Sequence, residues 1–163
     1  MKARTAKWFE TKVQYEKMME DGNMKTTKEL YVVDALSFTE AESSIMEEMS
    51  CYVSGAIDIV DIKPATYKEI FFSEDTSDDR WYKAKLLFIT IDEKTEKEKR
   101  QEVCYLVQAA TLFKAVKNID DVMGKTMIDY VIASVAETKI MDVFEHTAKL
   151  EDDKKDDKPE YEQ

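Results

Sequence analysis

Two runs in the chain set an indole beside cationic groups, Lys7-Trp8-Phe9 and Arg80-Trp81-Tyr82, and they hold both tryptophans of the sequence. Alternate residues of an extended strand share a face. Trp8 therefore stands with Lys12, and Trp81 with Lys83 and Lys85. An indole offers a flat surface on which a nucleic-acid base can stack, worth about 1–3 kcal/mol per base, while ammonium groups meet the phosphates. The candidate binding residues are Trp8, Lys12, Lys17, Arg80, Trp81, Lys83 and Lys85. Lys25 and Lys28 extend the first set, and Lys94, Lys97, Lys99 and Arg100 the second. The competing use of tryptophan is burial, in a core or an interface. Both rings would then lie at a seam within the chain or in a dimer contact.

Other chemistry is poorly supplied. His146 is the sole histidine, which removes a Ser-His-Asp triad and a two-histidine metal site built within one chain. The 3 glycines are scattered, so no phosphate cradle of the GxxxxGK[ST] or GxGxxG kind exists. Cys51 and Cys104 stand far apart and read as buried thiols in a reducing cytoplasm. Glu74, Asp75, Asp78 and Asp79 could meet Mg²⁺ or Ca²⁺, but their spacing fits no calcium loop, and a solvated acidic linker is the simpler reading. The expectation is a protein that is not an enzyme and uses no cofactor. No apolar run approaches the roughly 18 residues of a membrane span, and the opening residues lack a secretory leader, so a cytoplasmic location without membrane contact is expected.

Net charge is −11, which opposes binding to phosphate unless the charges are segregated. Part of the excess sits at the end. Residues 151–163 hold seven acids and three lysines with almost nothing apolar, and read as a disordered arm. Single-strand-binding proteins of bacteria and phages often pair a basic aromatic groove with such an acidic tail. Here it would recruit replication or recombination proteins or compete for the groove, unless it serves solubility alone.

The elements that must position these residues occur twice. A shift of 74 lays residues 31–49 on 105–123 without a gap and with six identities, among them Tyr31/Tyr105, Ala41/Ala115 and Ile45/Ile119. A shift of 73 lays Trp8 on Trp81, and Ile59, Ile62 and Ile70 on Ile132, Val135 and Val143. Strands are predicted over 7–18, 28–36, 80–91 and 101–110 from alternating apolar residues. Helices are predicted from about 38, behind the capping boxes Ser37-x-x-Glu40 and Thr39-x-x-Glu42, and over 111–123. A third strand, bent at Pro64, resumes through 67–72, and its counterpart lies in 127–144. The expected fold is α+β, with duplicated β-β-α-β units sharing one core: six antiparallel strands in one sheet and both helices on one face. A partly closed barrel is the alternative. The boundaries are a first repeat over 1–72, an acidic linker over 73–79, a second repeat over 80–146 and the tail over 147–163.

Several stretches resemble an uncharacterised domain-of-unknown-function family from gut anaerobic bacteria and their phages. They include residues 7–17, 33–42, 69–73, 79–86 and 130–138. Some phage members of that family carry a single-stranded-DNA-binding label. The resemblance implies the same activity here and supplies no catalytic residues. The alternative is a protein-interaction or dimerisation module that uses the same face for a protein or a second copy.

Overall fold

The computed structural model describes residues 7–145. The chain runs β1 (Lys7–Met18), β2 (Met24–Ala35), α1 (Phe38–Ser50), β3 (Ile57–Ala65), β4 (Glu69–Phe71), β5 (Arg80–Ile91), β6 (Glu98–Ala109), α2 (Leu112–Met123), β7 (Asp129–Glu137) and β8 (Ile140–Phe144). The class is α+β and neither sheet closes into a barrel. The single six-stranded sheet is not what forms. There are two four-stranded sheets, ordered β3-β1-β2-β8 and β4-β6-β5-β7, and each has its own helix and core.

The reason lies in the last strand of each repeat. It breaks after Ala65 in one copy and after Glu137 in the other. The short pieces beyond, β4 and β8, do not join the sheet of their own repeat. β4 pairs in parallel with β6, setting Ile70 opposite Leu106. β8 pairs in parallel with β2, setting Val143 opposite Val32. Each sheet thus takes its fourth strand from the other repeat. Among the described residues the compact units are consequently 7–65 with 140–145, and 66–139, which cut across the repeats. A strand with a parallel neighbour tends to be buried on both faces. This explains the unbroken apolar runs Tyr31-Val-Val and Tyr105-Leu-Val, where all six side chains are buried.

The registers make the duplication explicit. Thr11 stands opposite Tyr31, and Ala84 opposite Tyr105. Gln14 faces Asp58, and Leu87 faces Val131, with a bulge at the matching place in each pair, Lys12/Val13 and Lys85/Leu86. Tyr31 stacks on Phe144 at 5.5 Å, and Tyr105 on Phe71 at 4.9 Å. The change of shift from 73 to 74 is one residue in a turn. The Met19 N–H donates to Asn23, whereas the Asp92 N–H donates to Lys97, one residue further on.

In the first unit Phe9, Val13, Tyr31, Val33 and Ala35 of the sheet meet Ala41, Ile45 and Met49 of α1. In the second, Ala84, Leu86, Tyr105 and Val107 meet Ile119 and Met123 of α2. Each fully buried aliphatic or aromatic side chain contributes about 1.5–3 kcal/mol. Phe38, at the start of α1, is half out of the core, though its ring meets Phe9 edge-on at 5.2 Å. Ser37 is the cap that forms: its Oγ accepts from the Glu40 N–H at 3.2 Å, and Glu40 accepts from the Leu36 N–H at 3.1 Å. Thr111 caps α2 in the same way through the Lys114 N–H, at 3.1 Å.

Two sequence expectations need correction. Cys51 is exposed, and Cys104 only half-buried. The acidic stretch after β4 is not simply solvated. Asp78 is 2 % exposed and accepts from the Ala110 N–H at 2.9 Å and from the Ser73 hydroxyl. Lys114 lies within 3.4 Å of Asp78 and 3.2 Å of Asp75. Lys114 occupies the first turn of α2, where the helix dipole disfavours a cation, and these two carboxylates offset that conflict. His146 and residues 147–163, the acidic tail among them, lie outside the described residues.

Candidate nucleic-acid interface

Alternation assigns the faces of the opening strands as expected. On β1 the residues Phe9, Thr11 and Val13 are buried beneath α1, so Trp8, Lys12 and Gln14 look the other way. On β5, Tyr82, Ala84 and Leu86 are buried on the helix side, which leaves Trp81, Lys83, Lys85 and Leu87 on the helix-free face. Lys17 falls on the same side of β1 as Phe9, and Arg80 on the same side of β5 as Tyr82. Neither belongs to the predicted platform.

The two tryptophans part company at this point. Trp81 is 2 % exposed, with Phe72 set edge-on at 5.5 Å. It shares the helix-free face with Leu106 and Ile70, both buried as well. A ring sealed in this way has no face for a base, so the stacking role given to Trp81 is withdrawn. Periodicity placed the ring on the correct side but could not show that this end of the helix-free face is covered. Trp8 is half-buried, and it is the member of the pair with ring surface left for a ligand.

The cations also divide. Lys12, Lys17, Lys83 and Lys85 are exposed. Lys85 pairs with Glu102 at 3.3 Å and Arg80 with Glu137 at 3.6 Å. In the second hairpin, Lys99 meets Asp92 and Arg100 meets Glu98. Of the candidate cations, Lys12, Lys17, Lys25, Lys28, Lys83, Lys94 and Lys97 form no ion pair among the described residues. Residues 80–109, the whole β5–β6 hairpin, hold seven basic and five acidic side chains. Residues 7–35, the whole β1–β2 hairpin, hold five and six. Only the β5–β6 hairpin is therefore net positive in a chain of charge −11. No group of three or more His, Cys, Asp or Glu among the described residues is placed to hold a metal ion.

A sequence model for a domain of unknown function, DUF4494, matches residues 7–146, the span of both repeats. The chain belongs to this family. No match was found among curated proteins. No helix among the described residues of this DUF4494 domain is long and apolar enough to cross a membrane.

A second feature of the domain escaped sequence reasoning. A cleft of about 500 Å³ opens in the first unit beside the hairpin end of β1, lined by Gln14–Met18, Met24, Thr26, Tyr52–Ala56 and Asp58. The available signal was the turn-forming stretch around Gly55, which interrupts the chain between α1 and β3. Next to it Tyr15 and Tyr31 both donate to Glu29, the latter at 2.8 Å. The bond to Glu29, with burial and the nearby charge, pushes Tyr15 up to about 12. Burial, then the same carboxylate, raises Tyr31 further. The second copy has Phe88 and Val103 at the places of Tyr15 and Glu29, so this network is particular to the first.

Proposed function

We propose that this DUF4494 domain binds single-stranded nucleic acid without catalysis, as a single-stranded-DNA-binding protein of replication or recombination in the cytoplasm. The observation that carries the reading is the concentration of positive charge on the β5–β6 hairpin, residues 80–109, which is net positive in an acidic chain. Lysines already neutralised by a carboxylate gain little from a phosphate. Those without ion pairs on the net-positive hairpin, Lys83, Lys94 and Lys97, together with Lys12 beside Trp8, are the ones whose binding would release counterions. Trp8 supplies the stacking surface, and Trp81 holds the sheet together. The resemblance to phage proteins with a DNA-binding label supports the reading, and the acidic residues 151–163 would recruit partners or compete for the same lysines.

Fluorescence anisotropy of a labelled oligo-dT against salt concentration tests it. Each phosphate contact on a single strand contributes a log–log slope of about −0.7. Replacing Lys83, Lys94 and Lys97 by alanine should therefore flatten the slope by about 2. Trp8→Ala should weaken binding about tenfold, within the range of one stacked base. Truncation before Glu151 should tighten it. Anisotropy that stays flat at low salt rejects the proposal.

A second reading, docking or dimerisation through a strand edge, is favoured by one comparison. β3 and β7 are equivalent edge strands. β3 guards its edge with Asp58, Asp61, Lys63 and Pro64, whereas β7 carries Val131, Ser134 and Ala136 where the three charges stand. β7 keeps charges only at its ends, Asp129 and Glu137, and an edge uncharged along its middle invites strand pairing. Sedimentation velocity would show a concentration-dependent dimer, abolished by Val131→Lys with Ser134→Lys, and a monomer at all concentrations removes self-pairing.

A further inference from the structure

β1 loses its neighbour on one side before the other. Against β3 the pairing ends at Tyr15 opposite Ile57, while against β2 it continues to Met18 opposite Met24. From Glu16 to Met18 the backbone therefore has no strand on its β3 side. The segment from Cys51 to Ala56 swings away there and leaves the cleft of about 500 Å³, a size within the roughly 300–1,000 Å³ of ligand sites. An open strand edge beside a cleft is what a peptide needs to add as a further strand. Main-chain hydrogen bonds then give affinity, and the side-chain contacts give selectivity.

The side chains define what would fit. Alternation and register place Gln14, Glu16, Met18, Met24 and Asp58 on one face of the sheet, with Lys17 on the other. The charged side chains that line the cleft are Glu16 and Asp58 on this face and Lys17 on the opposite one, while Lys28, opposite Gln14 on this face, does not line it. The apolar surface is adaptable. Met18 is 69 % exposed, and Tyr52, at the mouth, 75 %. Thioethers and exposed aromatic rings suit a surface that moulds itself to a partner. In the second copy the places of Gln14, Glu16, Met18 and Asp58 are taken by Leu87, Ile89, Ile91 and Val131, so the acids belong to this copy alone. They would repel a phosphate chain and attract ammonium groups.

We propose that the cleft is a docking site for an extended peptide of alternating basic and apolar residues, added as a strand to the free edge of β1. Lysine or arginine side chains of the peptide meet Glu16 and Asp58, and its apolar side chains meet Met18 and Tyr52. The site is separate from the nucleic-acid reading and does not depend on it.

The probe is a fluorescein-labelled hexapeptide, Lys-Val-Lys-Leu-Lys-Val, titrated with the full chain. Saturable anisotropy is expected, about tenfold weaker with Tyr52→Ala and with Asp58→Lys, both exposed sites whose change leaves the fold intact. A peptide with glutamate for lysine should bind at least about tenfold more weakly. Methylating alternate backbone nitrogens on the edge-pairing side should abolish binding. Amide shifts on peptide addition should concentrate at Glu16–Met18 and Tyr52–Ala56. No binding of the lysine peptide, indifference to backbone methylation or to Asp58→Lys, or shifts confined to other residues would each overturn the proposal. Displacement of oligo-dT from these same residues would overturn it too, in favour of nucleic acid.

Discussion

Trp81 and Asp78 show how much a single side chain can hold. Trp81 is sealed on the face that alternation leaves free of a helix. Trp81→Ala should cost about 3–5 kcal/mol in urea unfolding, the range for a large buried aromatic, whereas Trp8→Ala should cost far less and act on ligand binding. Equal losses in the two variants would contradict this division. Asp75 is held at about 2, against 3.8, by hydrogen bonds from the Ser77 N–H and hydroxyl and from Lys114. Burial pushes Asp78 up, but hydrogen bonds from Ser73, Lys114 and the Ala110 N–H outweigh it and hold the carboxyl below its ordinary value. Both pKa values are depressed in the fold. The stability they confer is therefore whole above the unfolded carboxylate value and drains away as pH falls from there through each group's own depressed value, about 2 for Asp75. The deficit of Asp78→Asn relative to wild type, read from urea midpoints, should be largest near neutrality and shrink toward zero in that acid window. A deficit independent of pH would mean that the charge is irrelevant.

The paired elements allow a comparison that most chains do not offer. The first hairpin turns at Gly22, with φ 84°, and the second at Glu96, with φ 55°. The left-handed region is free for glycine and costs other residues about 1 kcal/mol or more. Glu96→Gly should accordingly raise stability by about 0.5–1 kcal/mol, and Gly22→Ala should lower it by a similar amount. Thermal unfolding of the two variants, moving in opposite directions, checks this. The helices differ at a matching place too. Asn118 of α2 donates to the Gln108 carbonyl at 3.0 Å, while Ser44 of α1 is buried with no hydrogen-bond partner among the described residues. Gly124 closes α2 without the left-handed conformation that a terminal glycine suggests. It is small because a Cβ would lie 2.8 Å from the Asp120 carbonyl oxygen.

At the scale of the whole molecule the exchange of β4 and β8 couples residues remote in sequence. Val143 ends the second repeat yet completes the first unit, beside Val32. Val143→Asp should therefore reduce amide-exchange protection along β2 more than along β5 and β6. Ile70→Asp should do the reverse, loosening β6. Loss of protection confined to each variant's own repeat would refute the exchange. The β2–β8 pairing spans most of the chain, and such non-local contacts slow folding because loop-closure entropy is spent before they form.

Local rules determined a great deal from the sequence alone. Period two in β1 and β5, the caps at Ser37 and Thr111, and the apolar stripe Ala41, Ile45 and Met49 with its copy Ala115, Ile119 and Met123 all follow from interactions within a few residues. The duplication was legible because the same register must recur wherever the same core is packed. Tertiary structure alone decided which sheet β4 and β8 join, that Trp81 is covered, that Asp78 is buried against α2, and that β1 is left with an open edge beside Tyr52. Each of these depends on which distant segment arrives at a given face. A sequence period records only that a face exists, and carries no information about what is laid over it.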